Sequence, residues 1–478
     1  MYDILWNLHY FCGLNHTKSI LTDLFPNYTE EKQSIRKFFR SYVYPAMFNM
    51  VVMALYNIVD RIFIGQGAGA LAICGLALTL PCVSLLSTVG TLTGVGAAAR
   101  ISTSISLGNR SLACCILGNA TVLNILLSTI LIVYSLYHLD FILDIFGGSG
   151  QTIPYARKYM SILIPASLLT NLNFTYCHAI RASGFSRKSM TIVFAGVIAN
   201  IILDPIFIFG FHMGVQGAAL ATIVSQTVSA VWVLSFLCGK KSILRVRKEN
   251  LKIKKAALVP VLALGASPFI MQATESLITV CFNSSLLKYG GDIAVGAMTV
   301  LSSIMQFAMM PLQGLTQGAQ PIVSYNYGAR NPQRVRRAFK VLLIACVTYS
   351  LTLWALVQLF PQIFALMFTS NQELVDYAAW ALRIYMAATG IFGVQIACQQ
   401  TFVALGNAKT SLFLAALRKI ILLIPLIYIL PHFFADKSFA VFLAEPVADV
   451  LAVCTTATMF FFQFRKSMAA LEGPSAGA

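Results

Sequence analysis

Long hydrophobic runs alternate with short polar connectors along the whole chain. Each of twelve such runs is long enough to cross a hydrocarbon core of about 30 Å as a helix. The runs lie near residues 38–64, 71–99, 112–138, 155–181, 189–211, 214–238, 256–287, 293–326, 336–360, 376–405, 410–434 and 437–464. The alternation of apolar and polar positions that is typical of membrane β-barrel strands is not visible. The pattern therefore predicts an all-α integral membrane protein with twelve transmembrane helices.

The composition supports this class of protein and argues against a soluble one. Of the 478 residues, 58% are hydrophobic and 11% are charged, whereas about 25% are charged in an ordinary soluble domain. The net charge of +17 lies in the connectors between the runs, so we expect no nucleic acid partner. We expect a monomer in the plasma (inner) membrane, with membrane lipid around it.

Basic residues occupy alternate connectors, which predicts the orientation of the chain in the membrane. They precede the first run and follow the second, fourth, sixth, eighth, tenth and twelfth, with eight in segment 239–255 alone. The connectors "GQGAGA" after the first run and "GFHMG" after the fifth contain none. Because Lys and Arg are enriched on the cytoplasmic side, both termini are expected in the cytoplasm.

The second half of the chain repeats the first half at an offset near 220 residues. "GLALTLPCVSLLSTVGTLTGVGAAARISTSISLGN" (75–109), for example, is similar to "GAMTVLSSIMQFAMMPLQGLTQGAQPIVSYNYGAR" (296–330). Six runs per copy give both copies the same orientation, so the two six-helix lobes are expected to be related by a pseudo-twofold axis along the membrane normal. A cavity between the lobes would suit alternating access.

The repeat also predicts the boundaries of the segments. They are a cytoplasmic N-terminal extension (1–35), an N-lobe (36–238), a basic cytoplasmic linker (239–255), a C-lobe (256–465) and a disordered C-terminal tail (466–478).

The stretch "ANIILDPIFIFG" (199–210) places an acid and a helix breaker inside an apolar run. Asn200 and Asp204 are four residues apart and share one helix face, and Pro205 removes a backbone donor and bends the helix. Irregular backbone at membrane depth is tolerated where it faces protein or a wet cavity. An ionised carboxylate at the membrane centre costs roughly 2.5–3.5 kcal/mol, so uptake of a proton is favoured. Sodium would use the same oxygens, and both ions remain open, with protons preferred.

Further acids lie inside other runs, and intramembrane acids commonly mark ion or substrate pathways. Asp60 is near the external end of its run. Water there could solvate the ionised side chain, so Asp60 would not need a functional role. Glu275, with Asn283 further along its run, is either a second ion site or a counter-charge for the substrate. Glu445 and Asp449 are four residues apart with no base near them in sequence, and are expected to line the C-lobe cavity. The runs contain mostly acids, which suits a cationic cargo.

No motif of a nucleotide-binding loop, a zinc protease or a paired-cysteine metal site is present in the sequence. We therefore expect no enzymatic activity and no cofactor beyond a coupling ion. The alternatives to an ion-coupled transporter are a flippase for a lipid-linked or bulky metabolite and a channel.

Five stretches together resemble the multidrug and toxic compound extrusion (MATE) family, in its DinF/MepA-like branch. They are "YNIVDRIFIGQGAGALAICGLAL", "RASG", "NIILDPIFIFG", "GVQGAALAT" and "YNYGARNPQRV". The resemblance covers residues 36–465 and implies a cation-coupled antiporter that exports amphipathic, mostly cationic compounds. Flippases for lipid-linked sugars share the fold, which keeps the flippase as the alternative.

The resemblance also implies a coupling site in the N-lobe. The family's acidic, amide, hydroxyl and tyrosine positions there match Asp60, Asn200, Asp204, Thr222 and Tyr159. Pro45 and Pro205 match its hinge prolines.

A second cation site, used by the NorM-like branch, begins with a glutamate that matches Glu275. Its acidic partner in the tenth run is absent here, because the chain has Gln399 and Gln400 in that region. This difference favours coupling through the N-lobe.

Overall fold

A computed structural model describes residues 35–68, 70–145, 153–239, 242–368 and 372–472, and these are almost entirely helical. Two short helices, Leu139–Ile145 and Pro361–Leu366, lie between longer ones. The long helices of the N-lobe are α1 (Ile35–Ala68), α2 (Ala70–Ser106), α3 (Arg110–Tyr137), α4 (Ile153–Ala182), α5 (Ser186–Gly210) and α6 (Val215–Cys238). Those of the C-lobe are α7 (Lys255–Gly291), α8 (Ile293–Gly328), α9 (Pro332–Leu359), α10 (Gln372–Tyr385 with Thr389–Ala404), α11 (Ala408–His432) and α12 (Lys437–Glu472).

Each of the twelve predicted runs corresponds to one of these helices. Within the described ranges, nine helices are long and apolar enough to cross a membrane, and α10, which bends by 50° at its break, is a tenth. The remaining two are α1 and α4, whose polar residues lower their hydropathy. In α4, for example, Asn171, Asn173 and His178 are buried inside the protein, where they do not face lipid. The twelve-helix prediction is therefore confirmed.

Both lobes contain asparagine helix caps and π-helical segments. Asn109 and Asn331 cap α3 and α9, each accepting a hydrogen bond from the backbone N–H three residues later. A π-helical segment follows Pro205 in α5 (Ile206–Gly210), and another lies in α11 (Leu417–Leu423) just before Pro425. Such segments widen the helix locally and often occur at functional sites.

The lobes share one apolar core at only one end of the molecule. We call this the basic end, because the base-rich connectors after α2, α4, α6 and α8 lie there. Its core combines buried residues of the N-lobe, such as Ile101, with those of the C-lobe, such as Leu315 and Ile322. At the opposite end each lobe has a core of its own, around Met160 in the N-lobe and Phe282 in the C-lobe. The lobes are therefore packed together at the basic end.

Glycines allow the close approach of the lobes at the basic end. A Cβ added to Gly265 of α7 would lie 1.9 Å from the carbonyl oxygen of Leu92 in α2. Hydrogen bonds follow the same seam, with Ser102 Oγ donating to the Pro321 carbonyl (3.0 Å).

Further from the basic end, the side chain of Gln272 in α7 is still hydrogen-bonded to α2. We call the space between the lobes beyond Gln272 the cleft. If the basic connectors are cytoplasmic, as predicted, the cleft opens outward.

The described part of the basic linker lies against α3. Lys254 N–H donates to Asn119 Oδ1 (2.7 Å), and Asn119 Nδ2 donates to the Lys252 carbonyl (3.3 Å). The predicted tail boundary at 466 is wrong, because α12 continues to Glu472, which pairs with Arg336 (2.9 Å). The N-terminal extension up to residue 34 and the tail beyond residue 472 lie outside the described residues.

Gly265→Val should destabilise the protein, because the new side chain would collide with the α2 backbone and overpacking costs about 1–3 kcal/mol. We expect a fall of several degrees in the apparent melting temperature of the purified protein in detergent. The matched control is Gly210→Ala, since a Cβ at Gly210 meets nothing within 4 Å. Equal melting temperatures for the two variants would contradict the close seam between α2 and α7.

Candidate functional site

Two buried carboxyl groups meet in the N-lobe, one from α1 and one from α5. Asp204 is fully buried, Asp60 is 8% exposed, and the two carboxyl groups interact with each other electrostatically. Two ionised carboxylates in a buried site repel each other, and a proton on one of them removes this repulsion. The arrangement is therefore chemically suited to take up a proton between two helices.

An amide and two hydroxyl groups complete this N-lobe cluster. In the orientation that satisfies both ends of the Asn200 amide, its nitrogen donates to Asp204 Oδ2 (2.8 Å). Its oxygen accepts from the backbone N–H of Thr222 (3.2 Å). Tyr56 Oη lies 3.5 Å from Thr222 Oγ1. The cluster thus joins α1, α5 and α6.

Sequence reasoning missed Tyr56 as a member of this cluster. Its position gave a usable signal, because Tyr56 is four residues before Asp60 and shares the same face of α1. A tyrosine next to a candidate acid on one helix face can donate a hydrogen bond into the site.

The structure brings together Asp60, Asn200, Asp204 and Thr222 of the predicted coupling residues. Tyr159 is buried in the neighbouring N-lobe core with Ile64 and Ile208, each one turn beyond the acid on its own helix. The coupling roles of all five residues stay predictions.

The two predicted hinge prolines lie in different surroundings. Pro45 lies inside α1 between Val43 and Met47, which face Gly318 and Gly314 of α8 across the seam between the lobes. Pro205 directly precedes the π-helical segment of α5. Their roles as hinges stay predictions.

The C-lobe contains a buried ion-pair cluster that sequence reasoning missed. Arg418 Nε donates to Asp449 Oδ1 (2.6 Å), and Arg418 Nη2 donates to Glu445 Oε1 (2.9 Å). All three side chains are less than 5% exposed, and the guanidinium lies 4.3 Å from the centre of the Phe392 ring. Glu445 and Asp449 have no base near them in sequence, but helix packing brings α11 beside α12 and supplies Arg418.

A second cation, Lys419, extends this cluster toward α7. Its Nζ lies 2.8 Å from Glu275 Oε1, and the lysine side chain is 6% exposed whereas that of Glu275 is 57% exposed. Three acids of the C-lobe therefore share two cations. Sequence reasoning overlooked these two cations when it described the charged residues of the helices as mostly acids. The signal was the adjacent Arg and Lys within the run "ALRKIILLIP".

The remaining predicted C-lobe residues lie outside the ion-pair cluster. Gln399 Nε2 donates to Ser267 Oγ (3.2 Å) and approaches Met271 Sδ (3.2 Å), which joins α10 to α7. Asn283 is half-buried two turns beyond Glu275. Gln399 and Asn283 therefore contribute polarity to the lobe, but neither contacts the paired charges in the described part of the chain.

The chain belongs to the MatE family. The family model matches residues 45–206 and again residues 268–429. The two matched segments begin 223 residues apart (45 and 268), which agrees with the repeat found in the sequence. The architecture is that of MATE-type transporters, with twelve helices in two six-helix lobes related by a pseudo-twofold axis along the membrane normal. The chain is a multi-pass membrane transporter and not an enzyme.

Similar proteins cover nearly the whole chain. Multidrug export protein MepA of Staphylococcus aureus (strain NCTC 8325 / PS 47) is 27% identical over 85% of this chain and 90% of its own length. MepA of Staphylococcus haemolyticus (strain JCSC1435) is 25% identical over 88% and 93%. The solved structure of the MATE multidrug transporter DinF-BH is 33% identical with a TM-score of 0.83 and covers 90% of this chain and 96% of that chain. These relatives support a function in multidrug efflux.

Arg418→Met should strongly destabilise the protein, because it leaves Glu445 and Asp449 buried without their cation. Breaking a buried ion pair typically costs about 3–5 kcal/mol. The control is Arg157→Met, which removes an exposed pair with Asp140 (2.6 Å), and such pairs contribute at most about 1 kcal/mol.

Thermal unfolding of both purified variants in the same detergent measures the difference. The triple variant Arg418→Met/Glu445→Gln/Asp449→Asn should recover part of the lost stability, because the unpaired charges are gone. A single Arg418→Met variant as stable as Arg157→Met would rule out the buried cluster.

Proposed function

We propose that this chain is a cation-coupled antiporter that exports amphipathic, mostly cationic compounds by alternating access. The proton is the coupling ion in this proposal. The observation that supports it is the buried contact between the Asp60 and Asp204 carboxyl groups.

Two carboxylates in contact repel each other when both are ionised, and burial raises the cost of that repulsion. A single proton removes the repulsion and allows one carboxyl group to donate a hydrogen bond to the other. Exchange of this proton with water on one side of the membrane and then on the other would draw energy from the proton gradient. Coupling requires that proton and substrate favour different states of the protein.

The helix α1 offers a route from the acid pair to the seam between the lobes. Asp60 lies toward one end of α1, whereas Val43 and Met47 pack against α8 at the basic end. Pro45 lies between these two contact residues and removes one backbone hydrogen bond of the helix. A shift of Asp60 on gain or loss of the proton would therefore reach the part of α1 that holds the lobes together.

Sodium is the alternative coupling ion. The oxygens of Asp60, Asp204, Asn200 and Thr222 would suit a hard cation as well as a proton. The relatives named multidrug export protein MepA and the multidrug transporter DinF-BH support the export of drugs in either case.

The second candidate function is a flippase for a lipid-linked or bulky anionic metabolite. Such a cargo calls for cationic side chains that are free to bind it. Arg418 and Lys419 are cations within the C-lobe, but three acids neutralise them. This pairing favours the antiporter with cationic substrates.

Asp204→Asn and Asp60→Asn should each fold and insert but lose gradient-driven export, because neither altered pair can exchange the coupling proton. The measurement is ethidium efflux from proteoliposomes under an imposed pH gradient. Asp436→Asn is the control, since this exposed residue caps α12 through Phe439 N–H (3.0 Å) and an asparagine retains that role. Normal export by the Asp204→Asn variant would discard this site.

The coupling ion is identified by imposing one gradient at a time on wild-type proteoliposomes. We expect a pH gradient at constant sodium to drive ethidium export and a sodium gradient at constant pH to leave it unchanged. The opposite pattern would assign the N-lobe oxygens to sodium. Ethidium export that is unchanged by either gradient would exclude ion-coupled antiport.

A further inference from the structure

The two charged residues that face each other at the edge of the C-lobe cluster differ greatly in exposure. Lys419 is 6% exposed and Glu275, its partner at 2.8 Å, is 57% exposed. A buried ammonium group thus depends on a carboxylate that lies partly outside the protein interior. A buried charge is costly without a partner, so Lys419 is strongly tied to Glu275 when nothing else is bound.

Glu275 lies on α7 about one turn beyond Gln272, where the helix passes from the seam toward the cleft. Gln272, three residues earlier on α7, donates to Ser87 Oγ (2.8 Å) and accepts from Thr91 Oγ1 (2.8 Å), both on α2. Three residues advance a helix by about 4.5 Å and rotate it by about 300°. Glu275 is therefore just beyond the last of these contacts, near the same face of α7, toward the end where the lobes have separate cores.

Lys419 has a second acid within electrostatic reach. Glu445 interacts with Lys419 and Arg418, and with the other two acids of the cluster, Asp449 and Glu275. Glu445 Oε1 accepts from Arg418, but its buried Oε2 has no hydrogen-bond partner within the described ranges. A lysine ammonium on its flexible stem has three donors that can be redirected. Glu445 Oε2 is thus a vacant acceptor for it.

The charge balance of the cluster predicts which ligand it prefers. Glu275, Glu445 and Asp449 are three acids, and Arg418 and Lys419 are two cations. One bound monocation would bring the cluster to neutrality, whereas a bound anion would double the excess negative charge. A low-dielectric interior makes this difference large.

We propose that Glu275 is the cleft-side anchor for a monovalent organic cation, and that Lys419 is an internal substitute for this ligand. Lys419 occupies the Glu275 carboxylate when the cleft is empty and moves to Glu445 Oε2 when the organic cation binds. The inference rests on the proposed export of cationic compounds, and it adds the residue that recognises the charge. In the empty transporter, Lys419 thus supplies the positive charge that pairs with Glu275.

The test is equilibrium binding of tetraphenylphosphonium to the purified full-length protein in nanodiscs at fixed pH. Tetraphenylborate, which has the same shape and the opposite charge, is the comparison probe. Glu275→Gln should weaken tetraphenylphosphonium binding about tenfold or more. Lys419→Met should tighten it about tenfold, because the ligand no longer displaces an internal cation. Lys409→Met, at an exposed position on the same helix, should leave binding unchanged.

Two further variants separate this mechanism from a general loss of structure. Lys419→Arg should weaken tetraphenylphosphonium binding, since a guanidinium holds a carboxylate through two hydrogen bonds. The double variant Glu275→Gln/Lys419→Met should bind tetraphenylphosphonium more weakly than Lys419→Met alone, because removing the lysine frees a carboxylate for the ligand only when Glu275 is present. Tetraphenylborate should bind weakly to all of them.

The inference is overturned if Lys419→Met weakens tetraphenylphosphonium binding or leaves it unchanged. It is also overturned if tetraphenylborate binds more tightly than tetraphenylphosphonium and loses affinity in Lys419→Met, which would identify an anion site. Because binding needs no gradient, these results are independent of the export assays. The expected binding pattern without gradient-driven export would retain the cation site and reject the antiporter.

Discussion

An ionised group within the hydrocarbon region must find a partner of opposite charge or be neutralised by a proton, and this requirement shapes both lobes. In the N-lobe, Asp60 and Asp204 are buried and interact with each other, and in the proposed function one proton keeps the pair from carrying two negative charges. In the C-lobe, Glu445 and Asp449 share Arg418. The first solution can be reversed by losing one proton. The second is held by a permanent charge, because an arginine in a protein is not deprotonated.

The two lobes therefore have the same backbone plan and different chemistry. Both contain a π-helical segment near a proline, after Pro205 in α5 and before Pro425 in α11. Asp204 directly precedes the first of these prolines, whereas Arg418 and Lys419 lie inside the second segment. In each lobe, buried charged side chains therefore lie inside or beside a stretch of irregular helix. This asymmetry favours ion coupling in the N-lobe and a mainly structural or recognition role for the C-lobe charges.

Much of the fold could be predicted from the sequence, because the length and apolarity of each run fix a membrane-spanning helix by themselves. The repeat and the shared face of Asn200 and Asp204 are likewise local properties. The pairing of Arg418 with Glu445 could not be predicted in the same way, since it depends on which helices become neighbours. The high mean apolarity of the α11 run made its two cations easy to overlook. The contact of Glu472 in α12 with Arg336 likewise joins residues that are far apart in sequence.

The central claim is that the Asp60–Asp204 pair holds an exchangeable proton, and infrared difference spectroscopy of the purified protein tests it most directly. The account predicts a protonated-carboxyl band in the wild type at neutral pH. This band should fade as the pH rises and be missing from both Asp60→Asn and Asp204→Asn. Two carboxylates that stay ionised throughout the working pH range, with no metal ion bound to them, would contradict the account.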